Sequence, residues 1–251
     1  MKILKTSAGK ILRLSDGKVL LAGKQPTIIK YGLLYNWYVY KDARNIANTG
    51  WHIPTFTEAS SLSTYLGGDT VAGGKLKETG TTYWTTPNTG ATNETNFNGR
   101  GNGQRENGGT FVNIKANFTS WVQDYSEEYQ YYWLVLYYNS DDFSLSNPNN
   151  AKYGGNMRLM KDSTSLSDGQ TGTYTGNDGK LYRTICIGTQ EWLADNLAET
   201  RFRNGDIIPW YGANSANYFT NAEWGALTTA GCCAYSNTLT NVCENFSFPT
   251  S

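Results

Sequence analysis

The chain has little charge, one histidine and few cysteines. Its 21 basic and 21 acidic residues give a formal net charge of zero, and charged residues are only 17% of the 251. No basic stripe appears, so nucleic acid is not an expected partner, because phosphate recognition needs clustered Lys and Arg. The four cysteines, Cys186, Cys232, Cys233 and Cys243, all lie in the last third and make no disulfide framework. A single bridge from Cys243 to Cys232 or Cys233 is left open. No CxxC pair occurs and His52 is remote from the cysteines, so neither a metal nor another cofactor is expected. No apolar run reaches about 18 residues, so membrane insertion is not expected. The opening MKILKTSAGKILRL lacks a long apolar segment and a small-residue cleavage site, and it is read as neither signal peptide nor lipoprotein anchor.

What is abundant is glycine (27), tyrosine (18) and tryptophan (8). That composition suits a loop-rich β or α+β protein with a polar, uncharged surface. The densest aromatic stretch runs from Thr119 to Asp162 and is crowded with Tyr, Trp, Asn, Ser and Asp. Tyr and Trp supply large amphipathic contact area for few rotatable bonds, and Ser and Asn supply adaptable hydrogen bonds, as in a paratope. The plainer reading is an aromatic-rich hairpin at the edge of a core.

Along the chain, Asp16-Gly17 between Ile11–Ser15 and Lys18–Ala22 signals a β-hairpin. Residues 1–30 are therefore expected to form an N-terminal β arm. A lone hairpin is marginal in water, so this arm should pair with another subunit or a larger assembly. Tyr31–Tyr40 is apolar nearly all round and is read as a buried helix rather than a strand. Thr55 and Glu58 form a capping box ahead of Phe56, Ala59, Leu62, Tyr65 and Leu66 at helical spacing, and Gly67-Gly68 stops that helix. His52 has no Ser or Asp pattern beside it and is read as structural. Residues 71–109 are glycine-rich and read as a long loop pinned by Tyr83, Trp84 and Phe97. Residues 163–168 read as a linker. Hairpin or turn signals follow at Asp178-Gly179, Gly188-Thr189 and Asn204-Gly205, with a second capping box at Thr220 and Glu223. The tail from Asn237 is polar and expected to be loosely ordered.

Several blocks are recognisable. GLLYNWYVY, GWHIPTFTEASSLSTYLGG, AGGKLKETGTTYWTTPNTGATNETNF, YGGNMRLMKD and DGKLYRTICIGTQEWLADNLAETRFRNGDIIP resemble the Fibrobacter succinogenes major paralogous domain family. The resemblance implies an α+β, C-type-lectin-like fold of the formylglycine-generating-enzyme type. Such a domain has a small twisted antiparallel sheet, two helices and long loops. Two departures matter. The IGTQEW block follows the YGLLYNW block instead of preceding it, so residues 31–251 are read as one circularly permuted domain with halves 31–162 and 168–251. A swap, in which 168–251 completes a neighbouring subunit, is the rival. The block between Trp121 and Arg158 also departs from the family pattern. It resembles the variable region of phage proteins diversified by retroelements, which use a C-type-lectin scaffold.

These readings lead to an expected function: a bacteriophage virion adhesin, in a tail or head fibre, that binds a host cell-surface receptor of protein or glycan. Residues 1–30 would dock onto other virion proteins, and the assembly would be a homotrimer. The chain would be made in the host cytoplasm and reside in the virion. The expected contacts are Trp121, Gln123, Asp124, Tyr129, Tyr131, Tyr132, Leu134, Leu136, Tyr138, Phe143 and Asn147, of which Leu134 and Leu136 most readily fit a core. Trp37, Trp51, Trp133 and Arg158 are assigned to the scaffold. The alternatives are a structural fibre or capsid-decoration protein without a ligand, and a bacterial surface-binding protein. No catalytic constellation is visible, so an enzyme is not expected. The calcium-binding lectin motifs EPN and WND are absent, so sugar binding through Ca²⁺ is not expected either.

Overall fold

A computed structural model describes residues 26–123, 131–212 and 218–249. The N-terminal hairpin, Asp124 and Tyr129 lie outside those residues. In chain order the strands are β1 (Leu34–Tyr35), β2 (Trp51–His52), β3 (Asn102–Arg105), β4 (Phe111–Ile114), β5 (Asn117–Gln123) and β6 (Tyr131–Tyr137). They continue with β7 (Phe143–Ser146), β8 (Met160–Lys161), β9 (Thr171–Thr175), β10 (Leu181–Ile187), β11 (Gln190–Leu193) and β12 (Cys232–Cys233). The α-helices are α1 (Trp37–Lys41), α2 (Phe56–Tyr65), α3 (Asp69–Leu76) and α4 (Asn221–Ala226). The chain is thus mixed α+β, dominated by antiparallel sheet.

Helix α2 forms as its capping box dictates. Glu58 N–H donates to Thr55 Oγ1 at 3.2 Å, and the Glu58 carboxylate accepts from Thr55 N–H at 2.8 Å. Ala59, Leu62 and Leu66 turn inward, whereas Tyr65 is 56% exposed. The buried stripe falls at 59, 62 and 66, and Tyr65 sits on its flank. Gly67 and Gly68 end the helix at φ +104° and +99°.

The expected loop at 71–109 is also corrected, since it contains most of α3 and the whole of β3. Gly73-Gly74 reads as a breaker because each glycine costs a helix about 1 kcal/mol. Packing overrides that preference. A Cβ on Gly73 would lie 2.1 Å from the Asp142 carbonyl oxygen, and one on Gly74 would lie 2.3 Å from that of Gly90. Only glycine lets this helix approach the β6–β7 connection so closely. At its C-terminus the buried Lys77 ammonium donates to the carbonyls of Thr89, Tyr137 and Ser140 at 2.6–2.8 Å. Trp84 and Phe97 are buried, as expected for pins of the loop, and Tyr83 lies against the Arg100 guanidinium.

The Tyr31–Tyr40 segment is not one helix. Leu34 and Tyr35 pair with Cys233 and Cys232, and only then does the five-residue α1 begin. Asn36 makes the break: its amide donates to Thr229 O and accepts from Gly231 N–H, joining the segment to the chain before β12.

A five-stranded sheet runs in the order β2-β8-β11-β10-β9, so it draws strands from both sides of residues 163–168. Those residues are not a free linker: Thr164 Oγ1 donates to Glu191, and Asp168 accepts from Gly188 N–H at 2.7 Å. Further ties cross the same boundary. Asn156 donates to the carbonyl of Leu197, and the buried Tyr35 hydroxyl donates to Glu199 O at 2.9 Å. The C-terminal stretch is likewise no loose tail. Val242, Cys243, Phe246 and Phe248 are buried, and Phe248 stacks on Trp210 with centroids 4.5 Å apart. Aromatic residues spaced between polar ones, not overall polarity, decide its fate.

Candidate recognition surface

Strands β5, β6 and β7 form a three-stranded sheet with Trp121 opposite Trp133, Gln123 opposite Tyr131 and Trp133 opposite Ser146. Alternation sends successive side chains to opposite faces. Here both faces meet a core. Trp121, Trp133 and Val135 pack with Leu33, Tyr35 and Trp37. Phe118, Val122, Leu134, Leu136 and Phe143 pack with Trp84, Phe97 and Trp192. A strand covered on both sides reads as continuous apolar sequence, as Trp133–Leu136 does.

That burial corrects four of the expected contacts. Trp121 and Leu136 are 0% exposed, Leu134 1% and Phe143 3%, so none offers surface to a partner. Trp121 is locked further by its indole N–H, which donates to Tyr35 O at 2.7 Å. The residues assigned to the scaffold, Trp37, Trp51, Trp133 and Arg158, all lie in the interior. Arg158 Nε and Nη2 donate to Asn196 Oδ1, Nη1 to the carbonyls of Phe97 and Leu193, and Nη2 also to Asn98 O. Burial pulls its pKa down from the ordinary guanidinium value.

Gln123, Tyr131, Tyr132, Tyr138 and Asn147 are half-buried and reach the surface. They do not form one patch. Tyr138 lies just past the far end of β6, seven residues from Tyr131, or about 23 Å at strand rise. The other four gather at the opposite end of the sheet, which we term the rim. On one face Gln123 Oε1 accepts from the Tyr40 hydroxyl, and Tyr131 sits 5.4 Å from Trp37 and 5.9 Å from Trp121, ring to ring. On the other face Tyr132 meets Phe56 edge-on at 4.9 Å. Asn147 follows the Trp133–Ser146 pair, and its side chain accepts from Asn149 N–H.

Sequence reasoning missed Tyr40, Phe56 and Tyr153 as members of this aromatic system; Tyr153 meets Trp133 edge-on at 5.5 Å. Only contacts between segments apart in the sequence reveal them. Ser144 and Ser146, half-buried on the Trp133 face of β7, were also missed. Behind the rim the buried indole N–H groups of Trp37 and Trp133 have no hydrogen-bond partner among the described residues. An unpartnered buried donor costs about 1–3 kcal/mol.

Among the described residues no group of three or more His, Cys, Asp and Glu could hold a metal ion. All four cysteines are free and buried, so the bridge left open from Cys243 is not formed. Burial raises the pKa of each thiol. No helix among the described residues is long and apolar enough to cross a membrane.

No curated protein and no solved structure matches the chain. A family model, that of the Fibrobacter succinogenes major domain, matches residues 10–161. The match begins inside the stretch read as an N-terminal arm and ends just before residues 163–168. It covers more than half of the sequence and includes the whole β5–β6–β7 sheet, so the chain belongs to the Fibrobacter succinogenes major domain family.

Proposed function

We propose that the protein is a bacteriophage receptor-binding protein of a tail or head fibre, and that the rim at one end of the β5–β6–β7 sheet touches a host cell-surface protein or glycan. One observation carries the reading. Gln123, Tyr131, Tyr132 and Asn147 stand at the surface on a sheet whose two faces are both packed into core. Rigid backing lowers the entropy lost when amphipathic side chains engage a partner.

The same reading takes the scaffold as C-type-lectin-like and circularly permuted. The helix led by Trp51-His52-Ile53-Pro54-Thr55 and the sheet built from both sides of residues 163–168 support it. Retroelement diversification would act on rim positions and leave the packed ones alone. Residues 1–30 would attach the chain to the virion as a trimer, and multivalency would raise the avidity of weak sites.

The second reading is a structural fibre or decoration protein whose rim aromatics are a subunit interface. The half-buried state of Tyr131 and Tyr132 favours it equally. Particles carrying Tyr131→Ala and Tyr132→Ala separate the two. The recognition reading expects normal assembly with adsorption to host cells reduced at least about tenfold, since aromatic anchors typically contribute ~2 kcal/mol each. Assembled particles that adsorb normally would refute it, and loss of assembly would establish the interface reading.

A further inference from the structure

A concavity lies where α2 ends against the β10–β11 turn. It encloses about 290 Å³ and is lined mostly by polar groups, near the lower end of the size range of small-molecule sites. Its aromatic wall is Tyr65, held out at 56% exposure by the helix stop at Gly67. The ring lies against Gly188, where an added Cβ would come within 3.2 Å of it. Asp168 accepts from Gly188 N–H at 2.7 Å. Gly188 therefore positions ring and carboxylate as a pair.

The facing wall carries Lys75 and Glu94, which pair at 3.1 Å, and Asn96. Thr95 fixes that loop by donating to Lys75 O at 2.9 Å. Asn96 adopts a left-handed φ of +56° and is exposed. Its side-chain amide makes no hydrogen bond among the described residues, so one acceptor and two donors are available. One cation and two carboxylates leave the walls with a formal charge of −1, which disfavours an anionic ligand.

We infer that this cavity binds a neutral saccharide. A sugar ring presents an apolar C–H face that packs on an aromatic ring, and neighbouring hydroxyls that both donate and accept. Tyr65 offers the first contact, and Asp168 with Asn96 offers the second. The inference is independent of the rim, which shares no residue with this cavity.

The test titrates the full chain with methyl glucoside, methyl galactoside and methyl mannoside, followed by saturation-transfer NMR, with glucose 6-phosphate as the anionic probe. The expected result is saturable millimolar binding of at least one glycoside, weaker binding of the phosphate, and at least about a tenfold loss in both Tyr65→Ala and Asn96→Gly. Glycine keeps the positive φ while removing the amide, and Tyr65 is exposed, so both variants should melt like the parent. No saturable signal from any glycoside, undiminished binding in either variant, or tighter binding of the phosphate overturns the inference.

Discussion

At the residue scale, the single histidine is a joint between elements. His52 Nδ1 lies 2.6 Å from Asp162, and Nε2 lies 3.1 Å from the Glu58 carboxylate that also completes the α2 capping box. The Glu58 contact is the largest influence and, with Asp162, raises the His52 pKa against the opposing effect of burial. A histidine whose pKa is raised on folding stabilises the fold fully below its unfolded value of about 6.5, and that contribution fades as pH rises through the folded value. The urea midpoint should therefore fall between pH 6 and pH 8, by an amount worth less than about 1 kcal/mol because the group is partly solvated. His52→Gln should remove most of that difference, and denaturation curves at the two pH values check it. The structural role of His52 was legible in the sequence because no partner pattern stood beside it. Its partner Asp162, 110 positions away, was not legible.

At the element scale, sequence reading succeeded where the signal was local and failed where packing decided. Both capping boxes formed, as did the hairpin at Asp178-Gly179 and the turns at Gly188-Thr189 and Asn204-Gly205. Helix α3 was hidden because its two central glycines serve a close approach that no local pattern announces. Gly73→Ala, which would ordinarily favour a helix by about 1 kcal/mol, should instead destabilise the protein by about 1–3 kcal/mol through collision with Asp142. Equilibrium unfolding measures this, and a stabilised variant would mean that the approach is looser than 2.1 Å. The candidate site was half legible. Its strands were readable from their aromatic content, but burial on both faces was not. Trp121, Leu134, Leu136 and Phe143 were therefore grouped with the true rim.

At the scale of the whole molecule, strands on both sides of residues 163–168 complete one sheet, and the C-terminal segment seals the core beside it. Lys30 N–H donates to Val242 O at 2.8 Å, and Ile29 bridges to Cys243. Polar composition concealed this, because four buried side chains among many polar ones leave no periodic trace. Removing residues 238–251 should lower stability by several kcal/mol, at roughly 1.5–3 kcal/mol for each large apolar side chain withdrawn from the core. Thermal unfolding of the shortened chain checks it, and an unchanged melting temperature would restore the picture of a loose tail.

The central claim divides the aromatic stretch into a fixed frame and a recognising rim. Sequencing the gene from many individuals of one phage population tests that division most directly. The account predicts adenine-directed substitutions concentrated at Gln123, Tyr131, Tyr132, Ser144, Ser146 and Asn147, in excess of those at other surface positions such as Tyr65 and Asn204. It also predicts that Trp121, Leu134, Leu136 and Phe143 are left intact. Substitutions spread evenly over the surface, or falling on the buried frame as often as on the rim, would contradict it.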